Sequence, residues 1–181
     1  MLFLLSDNLP SMHYLILSLK PFLFIFVLLG FSGCYSFKGI SIPPEVNTFF
    51  VEDFQLTAAQ APGDLNQRFG EALRNKIRNE SRLKLNESDP DIVFGGRVTG
   101  FYVTSEAIRE GNTVALNKLE IAVDIEYTHP KNEKAGWKNR SFRFFKTFDS
   151  SLDFQSAQES LIRDIFDQLT EDIFNAAFSQ W

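Results

Sequence analysis

The chain has 181 residues, 44% of them hydrophobic and 23% charged, with a formal net charge of −5. That balance excludes a disordered chain, which carries fewer apolar residues, and argues against nucleic acid as a ligand, since phosphate binders are usually basic. One cysteine excludes a disulfide framework within the chain and a cysteine-rich zinc site, and the length suits one domain.

The N-terminus reads as an address. Phe22 to Leu29 is an unbroken apolar run, preceded by Lys20-Pro21 and followed by Ser32-Gly33-Cys34. A membrane-spanning helix needs about 20 apolar residues. Tyr14 to Leu29 approaches that length only by taking in Lys20 and Pro21. A basic residue, an apolar stretch and then small residues match a signal peptide, here over residues 1–33. Met12 suits a start, because residues 1–11 hold Asp7 and no basic residue. Leu29-Gly30-Phe31-Ser32-Gly33-Cys34 resembles the lipobox of bacterial lipoproteins, with Phe31 where leucine is usual. That resemblance implies diacylglycerol on the Cys34 thiol, cleavage before it and a further N-acyl chain (palmitate). Each buried CH₂ contributes about 0.8 kcal/mol, so two or three chains make a lasting anchor. The alternatives are a free cysteine behind a secretory signal, or a retained membrane anchor.

Residues 34–47 then form a lipidated tether stiffened by Pro43-Pro44, and 48–181 a single domain. Thr48 to Phe54 has the β-branched and aromatic content of a strand. Asp64 to Glu80 reads as a helix, with Leu65, Phe69, Leu73 and Ile77 on one stripe and Asp64 with Gln67 as a capping box. Leu83 to Leu85 is a candidate short strand. Asp91 to Thr104 reads as a long strand with Ile92, Phe94, Val98 and Tyr102 on one face, and Arg97, Thr99, Phe101 and Val103 on the other. Its Gly95, Gly96 and Gly100 suggest twist, a bulge or close backbone approach. After a turn at Glu106 to Asn112, Ala115 to Thr128 alternates Leu119, Ile121, Val123, Ile125 and Tyr127 with charged residues. A hairpin loop over His129 to Gly136 leads to a Phe-rich strand, Trp137 to Phe148. Ser156 to Ser179 is the last helix, with Ser156 and Glu159 as its capping box. The expected fold is α+β: a two-layer sandwich of two helices on one face of a four-stranded mixed sheet, in the order β-α-β-β-β-α.

The residues offer little for catalysis. After residues 1–33 the one histidine is His129, in a loop, and no Gly-x-Ser-x-Gly elbow accompanies it. Asp89-Pro90-Asp91 lacks the spacing of a calcium loop, and Gly95-Gly96 opens no helix, so neither a metal nor a phosphate loop is expected. The acidic polar face of the last helix suits core packing rather than an anionic membrane. The sheet face away from the helices remains, either an ordinary wet face or a docking surface of apolar and basic groups.

Several segments are similar to one family, the LptE lipoproteins of Bacteroidetes-type bacteria. They are Cys34-Tyr35-Ser36-Phe37-Lys38-Gly39 with Ser41 to Val46, Gly96 to Thr104, Ala115 to Leu119, and Gln168 to Asn175. The resemblance implies an outer-membrane lipoprotein on the periplasmic side, not an enzyme. It also implies the β-barrel translocon LptD as partner, plugged and helped to assemble by this chain, and lipopolysaccharide as ligand. Tyr35, rather than Asp, follows the cysteine, and no acidic run comes next, which fits the inner leaflet of the outer membrane. Arg97, Arg140 and Arg143 are the candidates for contact with lipid phosphates. Phe49 to Leu85 also resembles the start of TolB-like and curli-secretion lipoproteins, which would make the chain a binding module of another envelope system.

Overall fold

A computed structural model describes residues 42–106, 115–132 and 136–179. The expected signal segment 1–33, Cys34 and residues 35–41 of the expected tether lie outside the described residues, as do 107–114, which take in most of the expected turn at Glu106 to Asn112, and 133–135 in the expected hairpin loop. The elements are β1 (Thr48–Val51), β2 (Gln55–Leu56), α1 (Leu65–Glu80), β3 (Lys84–Leu85), β4 (Ile92–Glu106), β5 (Leu116–Thr128), β6 (Trp137–Asp149) and α2 (Phe154–Phe178). The sheet runs β3-β1-β4-β5-β6, with β2 also paired to β4. β1 is parallel to β3 and to β4, while β4, β5 and β6 form an antiparallel meander.

The expected α+β class holds, but among the described residues the sheet has six strands rather than four and the order is β-β-α-β-β-β-β-α. The expected strand over Thr48 to Phe54 is cut short to β1, where its apolar parity changes, and β2 follows beyond its expected end. Phe49 and Val51 are buried on one parity and Phe54 on the other; Val51 pairs with Phe94 and Gln55 with Arg97, so this side takes one residue more than β4 and Phe54 reaches the core. Its ring then lies 5.0 Å from Phe69 of α1. The second added strand, β3, forms an edge of only two residues.

Leu65, Phe69, Leu73 and Ile77 of α1 are fully buried, as their spacing requires. Its capping box does not form: the Asp64 side chain makes no cap hydrogen bond, and the Leu65 amide donates to the Pro62 carbonyl instead. The capping box on α2 is also displaced. Asp153 is the N-cap, accepting from the Ser156 amide at 3.1 Å, and the helix begins at Phe154. Glu159 is thereby freed from capping and reaches Arg68 of α1 at 2.7 Å. The extra turn sets Phe154 beside Phe101 and Phe148.

Both helices cover the same sheet face. Phe69 meets Phe166, and Phe94 meets Phe178, which accounts for the heavy use of phenylalanine: flat rings pack edge to face across the layer. Lys76 links the helices through Glu171 and also binds Glu80 at 2.7 Å. Burial works to lower the Lys76 pKa, but its hydrogen bonds to Glu171 and Glu80 hold it above the ordinary lysine value.

β4 carries a bulge. Val98 pairs with Val123 and Gly100 with Ala122, so Thr99 is an extra residue opposite none. Every later side chain on β4 therefore changes face. Phe101 is buried and Tyr102 is exposed, the reverse of the expectation, and Val103 joins the Phe101 side.

Candidate functional site

The sheet face opposite the helices is built by Arg97, Thr99 and Tyr102 of β4, the charged parity of β5, and Ser141, Arg143, Phe145 and Thr147 of β6. Most of its charges are matched. Asp124 accepts from the Arg97 guanidinium at 2.9 Å and from the Ser141 hydroxyl at 2.6 Å. The Ser141 bond, reinforced by Arg97 and opposed by burial, holds the Asp124 carboxyl below its ordinary pKa. Gly96, at φ +142°, permits this close approach of β4 to β5, since a Cβ there would strike the Asp124 carbonyl. Lys118 pairs with Glu106 at 3.3 Å and lies 5.3 Å from the centre of the Phe145 ring.

Two aromatic residues stand out on this face. Tyr102 and Phe145 are 52% and 51% exposed, and both are in register with Glu120 on the strand between them. Tyr102 folds back over Gly100, where an added Cβ would come within 2.5 Å of its ring and 3.0 Å of the Ala122 Cβ. A ring covering a strand glycine replaces the missing side chain as a shield for the backbone. The sequence pattern misses this pair because strict alternation sends Tyr102 to the core; the glycine-rich stretch was the available sign of a bulge.

The three candidate arginines do not share one environment. Arg97 and Arg143 lie on the open face, whereas Arg140 is opposite Ile125 and so lies on the helix side. Arg97 lines a cavity of about 220 Å³ with Glu52, Asp53, Asp124 and Glu126, a strongly acidic setting. The Arg140 guanidinium sits over Trp137 at 5.6 Å and Phe142 at 5.3 Å. Arg143 is exposed and has no hydrogen bond or ion pair with any described residue.

His129 belongs to an aromatic end cluster with Tyr127 and Trp137, lining a cavity of about 550 Å³ with Pro130 and Lys138. Its ring nitrogen shares a 2.7 Å hydrogen bond with the Tyr127 hydroxyl. Burial pushes the Tyr127 pKa up to about 12 and pulls the His129 pKa down, against the opposing pull of Asp91 and Glu45. Asp91, expected as the first residue of a long strand, ties the residues just ahead of β1 to the sheet. Its carboxylate accepts from the Asn47 and Thr48 amides, the Thr48 hydroxyl and Lys131. Those bonds, the Asn47 amide first, hold it far below the usual carboxylate range. Among the described residues no group of three or more potential ligands forms a metal site, and no helix is long and apolar enough to cross a membrane.

The fold has counterparts among solved structures. A hypothetical protein of Chlamydia trachomatis aligns at 9% identity with a TM-score of 0.51, covering 75% of this chain and 99% of that one. A minor lipoprotein of Acinetobacter baumannii aligns at 14% identity and a TM-score of 0.45, covering 72% and 91%. An uncharacterized lipoprotein B of Nitrosomonas europaea aligns at 14% and 0.46, covering 71% and 80%. Comparison with curated proteins gives no match. The family model for LptE, described as lipopolysaccharide-assembly, matches residues 46–177, from two residues ahead of β1 to the last turn of α2. The chain belongs to the LptE lipopolysaccharide-assembly family.

Proposed function

We propose that this chain is an outer-membrane lipoprotein, anchored on the periplasmic side through acylated Cys34. There it plugs and helps assemble the LptD β-barrel translocon, and so supports delivery of lipopolysaccharide to the outer leaflet. The observation that carries the reading is family membership across residues 46–177. The two sheet faces support it. One is consumed by the helices; the other offers matched charges around an exposed aromatic pair, a mixture suited to a confined, partly wet protein wall. In this reading the chain acts by binding and shape, without catalysis, and its only prosthetic groups are the acyl chains.

For lipopolysaccharide, the phosphates are met by Arg97, Arg140 and Arg143 through charge-assisted hydrogen bonds. Arg143 is free to do so, Arg140 would bind from its seat on Trp137 and Phe142, and Arg97 would have to release Asp124. Purification of the natively expressed, lipidated chain should recover a large outer-membrane barrel, with fatty acyl mass on Cys34. Recovery of the chain alone, or with an unmodified thiol, overturns the reading. Charge reversal at all three arginines should abolish lipopolysaccharide binding, and unchanged binding removes the contact assignment.

A further inference from the structure

The two edges of the sheet are unlike. β3 closes one edge with two residues, whereas β6 forms the other with thirteen and, among the described residues, pairs only with β5. Native sheets usually shorten, cover or charge their edges, because an open strand is a template for another chain. The Ser150 amide donates to the Ala115 carbonyl at 3.0 Å, which sets the phase of the β5–β6 ladder. In an antiparallel ladder, residues alternate between turning both backbone groups to the partner and turning both away. By that alternation Phe142, Phe144, Lys146 and Phe148 bond to β5, and Ser141, Arg143, Phe145 and Thr147 direct their N–H and C=O groups off the sheet. These last four residues are all exposed.

We propose that the β6 edge receives an extended segment of another polypeptide, one bearing carboxylates, as an added strand. Charge selects the occupant. β6 carries Lys138, Arg140, Arg143 and Lys146 against Asp149 alone, in a chain whose net charge is −5. Lys138 is matched by Glu126 and Lys146 by Asp164, but no described carboxylate pairs with Arg140 or Arg143. These two lie on opposite faces of the strand, so an added strand would meet one guanidinium on each side. A second copy of β6 would set cation against cation, which is unfavourable for cross-strand pairs. The charges that prevent self-pairing therefore admit an acidic strand. The Phe145 ring, next to Arg143, adds apolar contact on the open face. Such strand addition takes its affinity from main-chain hydrogen bonds and its selectivity from alternate side chains.

The inference does not depend on which protein supplies the strand, and it goes beyond the barrel-plug reading. A lipid phosphate could satisfy Arg143, but it cannot protect a row of backbone amides. The test is residue-resolved amide exchange on the full chain in detergent, with a short peptide alternating glutamate and valine as probe. The expected result is slowed exchange at Arg143, Phe145 and Thr147 with this peptide, and not with its lysine counterpart or a backbone N-methylated version. Thr147→Pro should keep the native exchange pattern of β5 yet weaken the peptide about tenfold, because edge proline removes only an outward donor. Amides that exchange fast throughout, or equal protection by both charged peptides, overturn the proposal. Amides already protected before peptide and released by dilution would mean a second copy on the edge, and also overturn it. Recovery of a barrel with these amides still fast would sink the strand inference and leave the proposed function standing.

Discussion

The covered and open faces of one sheet use the same strands for opposite ends. On the covered side Phe94, Val98, Phe101, Ile121, Val123 and Ile125 are almost wholly buried. On the open side the neighbouring positions hold Arg97, Asp124, Glu120, Lys118 and two half-exposed rings. Burial decides stability, since removing apolar area from water is the main favourable term. The open face contributes little to stability for the number of its ion pairs, because exposed pairs are worth about 0–1 kcal/mol each. It is therefore the face that can be changed for binding without loss of the fold.

The sharpest way to break this comparison lies at the bulge. Phe101→Ala should cost about 3–5 kcal/mol in urea unfolding, while Tyr102→Ala, one residue on, should cost less than about 1 kcal/mol. Equal costs would mean that the face change at Thr99 is wrong. A somewhat smaller effect is expected at the rim. Asp91→Asn should cost about 1.5–3 kcal/mol at neutral pH, because a charged acceptor of several hydrogen bonds is lost. The Asp91 pKa is lowered in the folded state, so its contribution is present above the ordinary value of 3.8 and lost as pH falls toward the folded value. Acid titration of the wild type and the variant should therefore converge only at strongly acid pH.

Deleting Thr99 should be milder still, within about 1 kcal/mol, since Val98–Val123 and Gly100–Ala122 keep their pairing and faces. Thermal melts of that deletion beside a deletion of Phe101, which must shift the pairing that follows, compare the two directly. The smallest effect belongs to His129. Its folded pKa is lowered by burial, so its contribution is present above the ordinary value of 6.5 and fades as pH falls below it. His129→Phe should flatten that part of the stability curve, measured as urea midpoints across a pH series.

Element types were legible where period and burial agree. β5 alternates because one of its faces is buried along its length, and α1 repeats every three to four residues because one stripe is. The two helices and the family resemblance needed no coordinates. Other features turned on competition between distant groups. Asp153 takes the cap of α2, which leaves Glu159 for Arg68, a choice visible only once the helices are side by side.

The sequence by itself determined which residues are apolar and how they repeat, and hence an α+β domain with two amphipathic helices and a long meander. Only the tertiary structure decided the phase: a single unpaired residue at Thr99 exchanges Phe101 for Tyr102 in the core. The same packing puts Arg140 on a different face from Arg97 and Arg143, and leaves β6 as an open edge. The physical reason is that strand side chains repeat every two residues. One local shift therefore reassigns every later residue, and its cost or gain is set by the partner strand rather than by the segment itself.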